Sequence, residues 1–119
     1  MKKIYRIKKY SEIDAVYKNK KARHSKFFGL YQLTDQTMKH FRFAISIGKK
    51  YGNAVERNLM KRRIRMIICE YAMHIQKDKN ILIVVKPKSN TLSFKEIKKD
   101  IFDLLKKSNV LEIKDAKTL

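Results

Sequence analysis

The segment KKYGNAVERNLMKRRIR, at residues 49–65, constrains the fold more than any other part of the sequence. It carries helix-forming apolar residues, yet seven of its residues are Lys or Arg and its one acidic residue is Glu56. Like charges three or four residues apart repel each other on a helix, so folding alone does not explain this charge density. We therefore expect a negatively charged partner to lie against this segment.

The whole chain is strongly basic. Its 119 residues include 30 Lys and Arg against 11 Asp and Glu, which gives a formal net charge of +19 at pH 7. This excess opposes folding through self-repulsion but attracts polyanions, so nucleic acid or an anionic membrane surface is the expected partner. Because 44% of the residues are apolar, a core can form, and we predict a single domain over residues 1–119.

Cysteine content and the N-terminal sequence favour a cytoplasmic protein. The single Cys69 excludes an internal disulfide, which is typical of a reducing compartment. The N-terminal MKKIYRIKKY is not followed by the apolar region of a secretory signal. No run reaches the ~18 apolar residues of a membrane span. We therefore predict a cytoplasmic nucleic-acid-binding protein with no membrane partner.

The N-terminal part of the chain reads as one helix followed by two strands. A helix is predicted at residues 11–18 with Ser11 as its cap, and a basic loop at 18–26. Residues 27–33 are rich in aromatics and 40–47 alternate between apolar and polar, so each predicts a strand. Since only a short polar turn separates these strands, we predict that they form a hairpin.

A long helix is predicted at residues 54–74, with Asn53 as its cap. At about 100° per residue, its apolar side chains fall on one stripe. The stripe consists of Met60, Ile64, Ile67, Ile68, Tyr71 and Ile75. The basic residues lie beside this stripe and not on it, so the helix can pack against a core and still present charge.

The C-terminal part predicts one strand and one further helix. The continuous apolar run at 80–86 indicates a central strand covered on both faces. Ser93 and Glu96 have the spacing of a capping box, which predicts a last helix ending near Ser108. The last ten residues either form a short strand or fray. The order helix-strand-strand-helix-strand-helix predicts an α+β fold with a small mixed sheet and about three helices.

The sequence shows no catalytic constellation and no metal site. The three histidines, at 24, 40 and 74, are far apart and lack metal-ligand spacing. Cys69 lies in the middle of the long helix and is interpreted as a small buried hydrophobe. Carboxylates of the last helix alternate with lysines, which is typical of a solvated, salt-bridged face. The rival hypothesis is a protein-only nuclease that uses these carboxylates.

An arc of polar and cationic side chains follows the long helix beside its apolar stripe. Its members are Arg57, Lys61 and Arg65 one turn apart, Asn58 and Arg62 at their flank, and Lys49 and Lys50 before the helix. Guanidinium groups spaced in this way can follow a phosphate backbone through paired hydrogen bonds. A DNA-binding regulator would need a helix-turn-helix and two-fold half-sites, whereas this chain has one basic helix.

Aromatic residues form a second candidate element near the first strand. Alternation along the strand predicts that Phe28 and Leu30 point into the core and that Tyr31 faces a cleft. Tyr17, on the first helix, is a further candidate. Aromatic rings beside a basic surface stack unpaired bases at about 1–3 kcal/mol each. A purely structural role for each ring is the alternative.

Residues 49–65 resemble the hallmark of the protein subunit of bacterial ribonuclease P, K-K-x-G-N-A-V-x-R-N-R-x-K-R-x-I-R. The similarity extends to Arg6-Ile7-Lys8-Lys9, to Arg42 with Ser46, and to residues 83–87. The sequence departs from the family pattern at two positions. Leu59 stands where the family has arginine, and Ile13 stands where it commonly has phenylalanine.

The resemblance implies a subunit of a ribonucleoprotein endoribonuclease in which a large catalytic RNA removes the 5′ leader of precursor tRNA with Mg²⁺. The protein would perform no chemistry and assemble as one copy per RNA, and its fold would include a left-handed strand–helix–strand crossover. The Mg²⁺ would be bound by the RNA, and no residue of the protein is assigned to a metal. The residues expected to bind the catalytic RNA are Lys49, Lys50, Asn53, Arg62, Arg63 and Arg65. Those expected to face the leader are Tyr17, Tyr31, Arg57, Asn58 and Lys61. A stand-alone RNA-binding or ribosome-associated protein is the alternative.

Overall fold

Three α-helices and four β-strands make up the computed structural model of the chain, which describes residues 3–112. The helices are α1 (Tyr10–Lys18), α2 (Ala54–Tyr71) and α3 (Phe94–Lys107). The strands are β1 (Ala22–His24), β2 (Phe28–Thr34), β3 (Arg42–Ile47) and β4 (Lys79–Val85). The predicted α+β class and the predicted order of the main elements are confirmed, with β1 as an additional strand.

The four strands form one mixed sheet in the order β1-β2-β4-β3. Strand β4 is antiparallel to β2 and parallel to β3, so that Tyr31, Leu82 and Ala44 lie side by side across the three strands. The predicted central strand is confirmed. The predicted hairpin is wrong, because β2 and β3 both pair with β4 and not with each other. The strand that is apolar at successive positions takes the place where both of its faces are covered.

Strand β1 lies within the segment predicted to be a basic loop, and that prediction is wrong for residues 22–24. It pairs with β2 at the edge of the sheet, with Ala22 opposite Tyr31 and His24 opposite Gly29. Its side chains carry no apolar alternation, since an edge strand can be held by backbone hydrogen bonds alone. Basic residues are also typical of sheet edges, where they discourage pairing with other chains.

The two faces of the sheet have separate apolar cores. Helices α2 and α3 cover one face, which presents Phe28, Leu30, Phe43, Ile81, Ile83 and Val85. Helix α1 packs on the other face, where Ile7, Val16 and Leu82 are buried and Tyr31, Leu33, Ala44 and Val84 are partly buried. This alternation confirms that Phe28 and Leu30 point into the main core and that Tyr31 points to the opposite side.

Helix α2 begins with the predicted cap. The Asn53 side-chain oxygen accepts a hydrogen bond from the Glu56 backbone N–H at 2.8 Å, and the Glu56 carboxylate accepts one from the Asn53 N–H at 2.9 Å. Met60, Ile64, Ile67 and Ile68 of the predicted stripe are buried, Tyr71 packs at the border of the core, and Ile75 is buried just beyond the helix. Strands β3 and β4 are thus joined through α2 as a parallel crossover, whose hand stays a prediction.

Both ends of the described region differ from the sequence-based expectations. Helix α1 begins at Tyr10 after Lys9, which makes no side-chain capping bond, so the predicted cap at Ser11 is wrong. Ser11 lies inside the first turn, two positions after the N-cap residue Lys9, and is therefore not at the capping position. At the other end, Leu111 forms an isolated antiparallel bridge with Ile75. The rest of the predicted terminal strand, from residue 113, lies outside the described residues.

Ser93 and Ser11 offer a matched test of capping. Ser93 Oγ accepts the Glu96 N–H at 3.2 Å at the start of α3, as the sequence predicts. We expect Ser93→Ala to lower the free energy of unfolding by about 1 kcal/mol, the typical contribution of a serine cap. Ser11→Ala is the control and should cause no loss. Urea denaturation followed by circular dichroism measures both, and equal effects would contradict the assignment of the caps.

Candidate nucleic-acid interface

Helix α1 covers only part of its face of the sheet, and an open trough remains beside it. One row across the strands consists of Gly29, Val84 and Ser46, with His24 next to Gly29 on β1. Val84 is only partly buried, and Ser46 and His24 are exposed. The small side chains of this row form the floor of the trough. Helix α1 forms one side of the trough, together with the adjacent row of the sheet, which contains Tyr31.

Tyr17 and Tyr31, the two aromatic residues predicted to contact a ligand, lie in direct contact. Their ring centroids are 4.9 Å apart, with a 38° angle between the ring planes. Tyr17 is 51% exposed. Partial burial raises the pKa of Tyr31, and the neighbouring Tyr17 hydroxyl raises it further. Tyr31 therefore stays neutral at physiological pH. Lys18 and Lys20 line the same cavity as the two rings.

His24 completes this aromatic surface and is not among the predicted site residues. Its ring meets Tyr31 edge to face, with centroids 5.4 Å apart. The ring lies where the side chain of residue 29 would otherwise be, because a Cβ on Gly29 would be 2.8 Å from His24 Nδ1. Its position depends on the pairing of β1 with β2, so a sequence interpretation that places residues 18–26 in a loop cannot find it.

The cationic side of α2 borders the same face of the sheet at the edge formed by β3. Lys61 and Arg65 line a cavity together with Ala44 of β3, Ile13 of α1 and Arg6. Ala44 lies in the same row as Tyr31, two strands away, which is a separation of ~10 Å at the usual strand spacing. The strand that carries Tyr31 and the strand that borders the basic helix are therefore separated only by β4.

Arg57 and Asn58 take different positions on α2. Arg57 is half-buried, and its guanidinium donates a hydrogen bond to the Gly52 carbonyl at 2.6 Å, which braces the turn before the helix. Asn58 is exposed, and in a helix it lies about 60° further from the core stripe than Lys61 does. Of the five predicted leader-facing residues, the structure thus brings Tyr17, Tyr31 and Lys61 to one face of the sheet.

The residues predicted to bind a catalytic RNA divide into three places. Lys49 and Lys50 are exposed in a 3-10 turn that precedes Asn53, and the Asn53 side-chain oxygen Oδ1 is engaged in the helix cap. Arg62 and Arg65 lie on the flank of α2 next to Arg6. Arg63 lies on the other flank beside Tyr51, whose pKa is raised by burial although the Arg63 charge lowers it. The predicted set therefore surrounds the exposed side of α2.

Carboxylates of the described residues pair with cations away from the α2 arc. Glu12 accepts from Arg42 at 2.7 Å, Glu70 from Lys98 at 2.6 Å, and Asp14 from Lys18 at 2.8 Å. Within residues 3–112, no carboxylate forms an ion pair with Lys61, Arg62 or Arg65. Since a buried or crowded cation without a counter-ion is destabilising, this arc is suited to a polyanionic ligand.

Cys69 is exposed, so its assignment to the core is wrong. Ile68 lies at the edge of the buried stripe. Cys69 is the next residue, and the 100° of rotation between successive helical residues places it outside the core. In the described part of the chain, no group of three or more His, Cys, Asp and Glu side chains could hold a metal ion. None of the helices among residues 3–112 has both the length and the apolar character needed to span a membrane.

These features define a strongly cationic α+β protein in which a basic helix lies beside an aromatic trough. Its sequence matches the family model for ribonuclease P over residues 1–109. It is 46% identical over 112 residues to the ribonuclease P protein component of Acholeplasma laidlawii, covering 94% of this chain and 96% of that protein. It is 36% identical to the corresponding protein of Levilactobacillus brevis, covering 94% and 95%.

A solved structure of the Staphylococcus aureus RNase P protein has the same fold. It superimposes with a TM-score of 0.85 at 31% sequence identity, covering 91% of this chain and 98% of that one. The chain belongs to the bacterial ribonuclease P protein family. It is a subunit of ribonuclease P, a ribonucleoprotein endoribonuclease of tRNA processing, whose RNA subunit is its partner.

A partly buried polar contact joins α1 to the sheet. The Arg42 guanidinium donates to Glu12 on α1 and, at 3.2 Å, to the buried side-chain oxygen of Asn80. We expect Arg42→Ala to lower the free energy of unfolding by about 2 kcal/mol, since it breaks a charge-assisted hydrogen bond and leaves Asn80 unsatisfied. Asp14→Ala, which removes an ion pair on the surface of α1, should cause no measurable change. Equal effects in thermal and urea denaturation would contradict this role of Arg42.

Proposed function

We propose that this protein binds the catalytic RNA of ribonuclease P with the exposed side of α2 and holds the 5′ leader of precursor tRNA in the trough beside α1. The observation that carries the proposal is the common border of two surfaces. The tyrosine pair lies on β2 and α1, and the basic side of α2 borders the same face of the sheet at β3, a strand ~10 Å from β2 at the usual strand spacing. A folded RNA and a single strand can therefore be bound side by side.

For the leader, the trough offers the two chemical features that a single strand needs. Unpaired bases can stack on Tyr17 and Tyr31, and the sequence-tolerant nature of stacking suits leaders of different sequence. The phosphates that follow would meet Lys61, Arg57 and, at the outer edge, Asn58. On the floor of the trough, the exposed side chain of Ser46 and the partly buried Val84 leave room for the backbone of the strand.

For the catalytic RNA, the proposal assigns a convex cationic surface. The residues are Lys49, Lys50, Asn53, Arg62, Arg63 and Arg65, on both flanks of α2 and before its N-terminus. Guanidinium groups suit phosphates because their planar forks donate paired hydrogen bonds. Arg65 lines both the cavity with Lys61 and the cavity with Arg62, so it lies at the border of the two proposed binding surfaces.

Bond cleavage belongs to the RNA in this proposal. Mg²⁺ would be held by RNA phosphates, which supply the hard oxygen ligands that this ion prefers. The protein, as one copy per RNA in the cytoplasm, would favour precursor over mature tRNA, because only the precursor has a leader to hold. Its positive charge would also reduce repulsion between the two RNAs, so that less Mg²⁺ is needed for cleavage.

Reconstitution with the catalytic RNA of the same organism tests the proposal. The chain should lower the Mg²⁺ concentration at which precursor tRNA is cleaved at half-maximal rate. Lys50→Glu should lose most of this effect, because it reverses a charge on the proposed RNA-binding surface. Lys99→Glu, an exposed residue of α3 with the same change of charge, is the control and should act as the unaltered chain does. A protein that gives no gain at low Mg²⁺ would favour a stand-alone RNA-binding protein instead.

Tyr31 allows a specific test of leader binding. We expect Tyr31→Ala to weaken binding of precursor tRNA to the reconstituted particle by about tenfold, since one stacked base contributes about 1–3 kcal/mol. Binding of mature tRNA, which has no leader, should not change. Tyr10→Ala is the matched control, because Tyr10 is 80% exposed at the start of α1 and outside the trough. An equal loss for both substrates would contradict the assignment.

A further inference from the structure

The N-terminal segment before α1 places an arginine against α2. Arg6 forms a parallel bridge with Phe43 of β3, and the Ile7 N–H donates to the Phe43 carbonyl at 3.0 Å. The Ile7 side chain is buried on the α1 face of the sheet, so extended backbone turns Arg6 to the other side, toward α2. Backbone pairing thus fixes the position of Arg6, although the side chain itself is exposed.

A cavity of about 420 Å³ lies where Arg6 meets α2. Arg62 and Arg65 line it on the helix together with Met66, Cys69 and Glu70. Its size is within the range of pockets that hold small organic groups, ~300–1,000 Å³. The cavity therefore combines three guanidinium groups with a partly apolar wall.

The three guanidinium groups are crowded and lack a negative partner within the protein. Burial lowers the pKa of Arg65 below its usual value, and the charges of Arg6 and Arg62 lower it further. Glu70, the carboxylate of the cavity, bonds to Lys98 of α3. In the described range, no ion pair forms between a carboxylate and Arg6, Arg62 or Arg65. An anion bound here would relieve the repulsion among the three.

The apolar wall indicates that the ligand is more than an anion. Met66 is 54% exposed and belongs to a stripe of exposed apolar residues on the side of α2 opposite the core. The other members of this stripe are Val55 and Leu59, and Met73 is exposed in the turn just after the helix. An apolar surface gives no favourable binding free energy to a phosphate alone. The flat face of a base is apolar, so packing it against Met66 removes unfavourable contact with water.

We propose that this cavity binds one unstacked nucleotide of the catalytic RNA, with its base against Met66 and its phosphate on Arg6, Arg62 and Arg65. The inference rests on the proposed function and extends it by adding two contacts, Arg6 and Met66. It also assigns a role to the exposed apolar side of α2, on which Leu59 lies in place of the family arginine.

Affinity for the catalytic RNA, measured over a range of salt concentrations, separates the two contacts. Arg6→Ala should lower affinity about tenfold at low salt and reduce the slope of log affinity against log salt by about one, as expected for one lost phosphate contact. Met66→Ala should lower affinity about fourfold without changing this slope, because it removes an apolar contact. Lys8→Ala, in the same N-terminal segment but outside the cavity, is the control and should change affinity by less than either variant.

Cys69 permits a direct test of what occupies the cavity, because it is the single cysteine of the chain and lies in the cavity wall. A thiol-directed photo-crosslinker on Cys69 should join the assembled particle at one nucleotide of the catalytic RNA. Arg6→Ala and Met66→Ala should each reduce the yield of that product, and Cys69→Ser should give none. Crosslinks to a second protein copy, to the leader or at scattered RNA positions would overturn the inference.

The outcomes also distinguish this inference from the proposed function. If the unaltered chain failed to assemble with the catalytic RNA, both would be wrong. If it assembled and lowered the Mg²⁺ requirement while Arg6→Ala and Met66→Ala bound as it does, only the nucleotide site would be wrong.

Discussion

The structure depends on strand β4, which is apolar on both faces and lies between β2 and β3. On one face Ile81 and Ile83 pack into the main core beneath α2 and α3, and on the other Leu82 packs against α1. Fully burying one such side chain contributes about 1.5–3 kcal/mol, so three in succession favour the central position strongly. Because β4 takes this place, the other edge of β2 pairs with β1, and the other edge of β3 pairs with the segment that carries Arg6.

The charge distribution follows from the same arrangement. Helix α2 must bury one stripe, so its cations are confined to the flanks and the outer side, where water or a ligand can reach them. Acidic side chains are used elsewhere, as in the Arg42–Glu12 contact that holds α1 over the sheet. Because basic residues outnumber acidic ones, the net charge of +19 produces a field that attracts polyanions from a distance and makes their binding sensitive to salt. The charged residues that stabilise the fold through ion pairs are thus separate from the cations of α2, which are available to bind an anionic partner.

Local features of the sequence were sufficient for the helices, whereas pairing between distant segments was not predictable. The caps at Asn53 and Ser93 and the apolar stripe of α2 depend on residues a few positions apart, and all three are confirmed. The hairpin was wrong because a short polar turn favours pairing of neighbouring strands, while burial of β4 depends on the whole sheet. Strand β1 was missed because backbone pairing at an edge leaves no apolar pattern in the sequence. Residues of the candidate site were likewise predictable only where local sequence determines them. Alternation along the strand predicted the direction of Tyr31, whereas His24 and Arg6 reach their positions only because their segments pair with β2 and β3.

Arg6 and Arg65 each line two cavities, one beside Lys61 toward the sheet and one beside Met66 toward the solvent. A ligand in one cavity that binds either guanidinium group changes the positive charge available to a ligand in the other cavity. If the leader and the catalytic RNA occupy these two cavities, their affinities for the protein are coupled. Linkage then requires that binding of either RNA changes the affinity for the other by the same factor. Through the shared arginine pair at the edge of β3, binding of the leader would then be coupled to binding of the catalytic RNA.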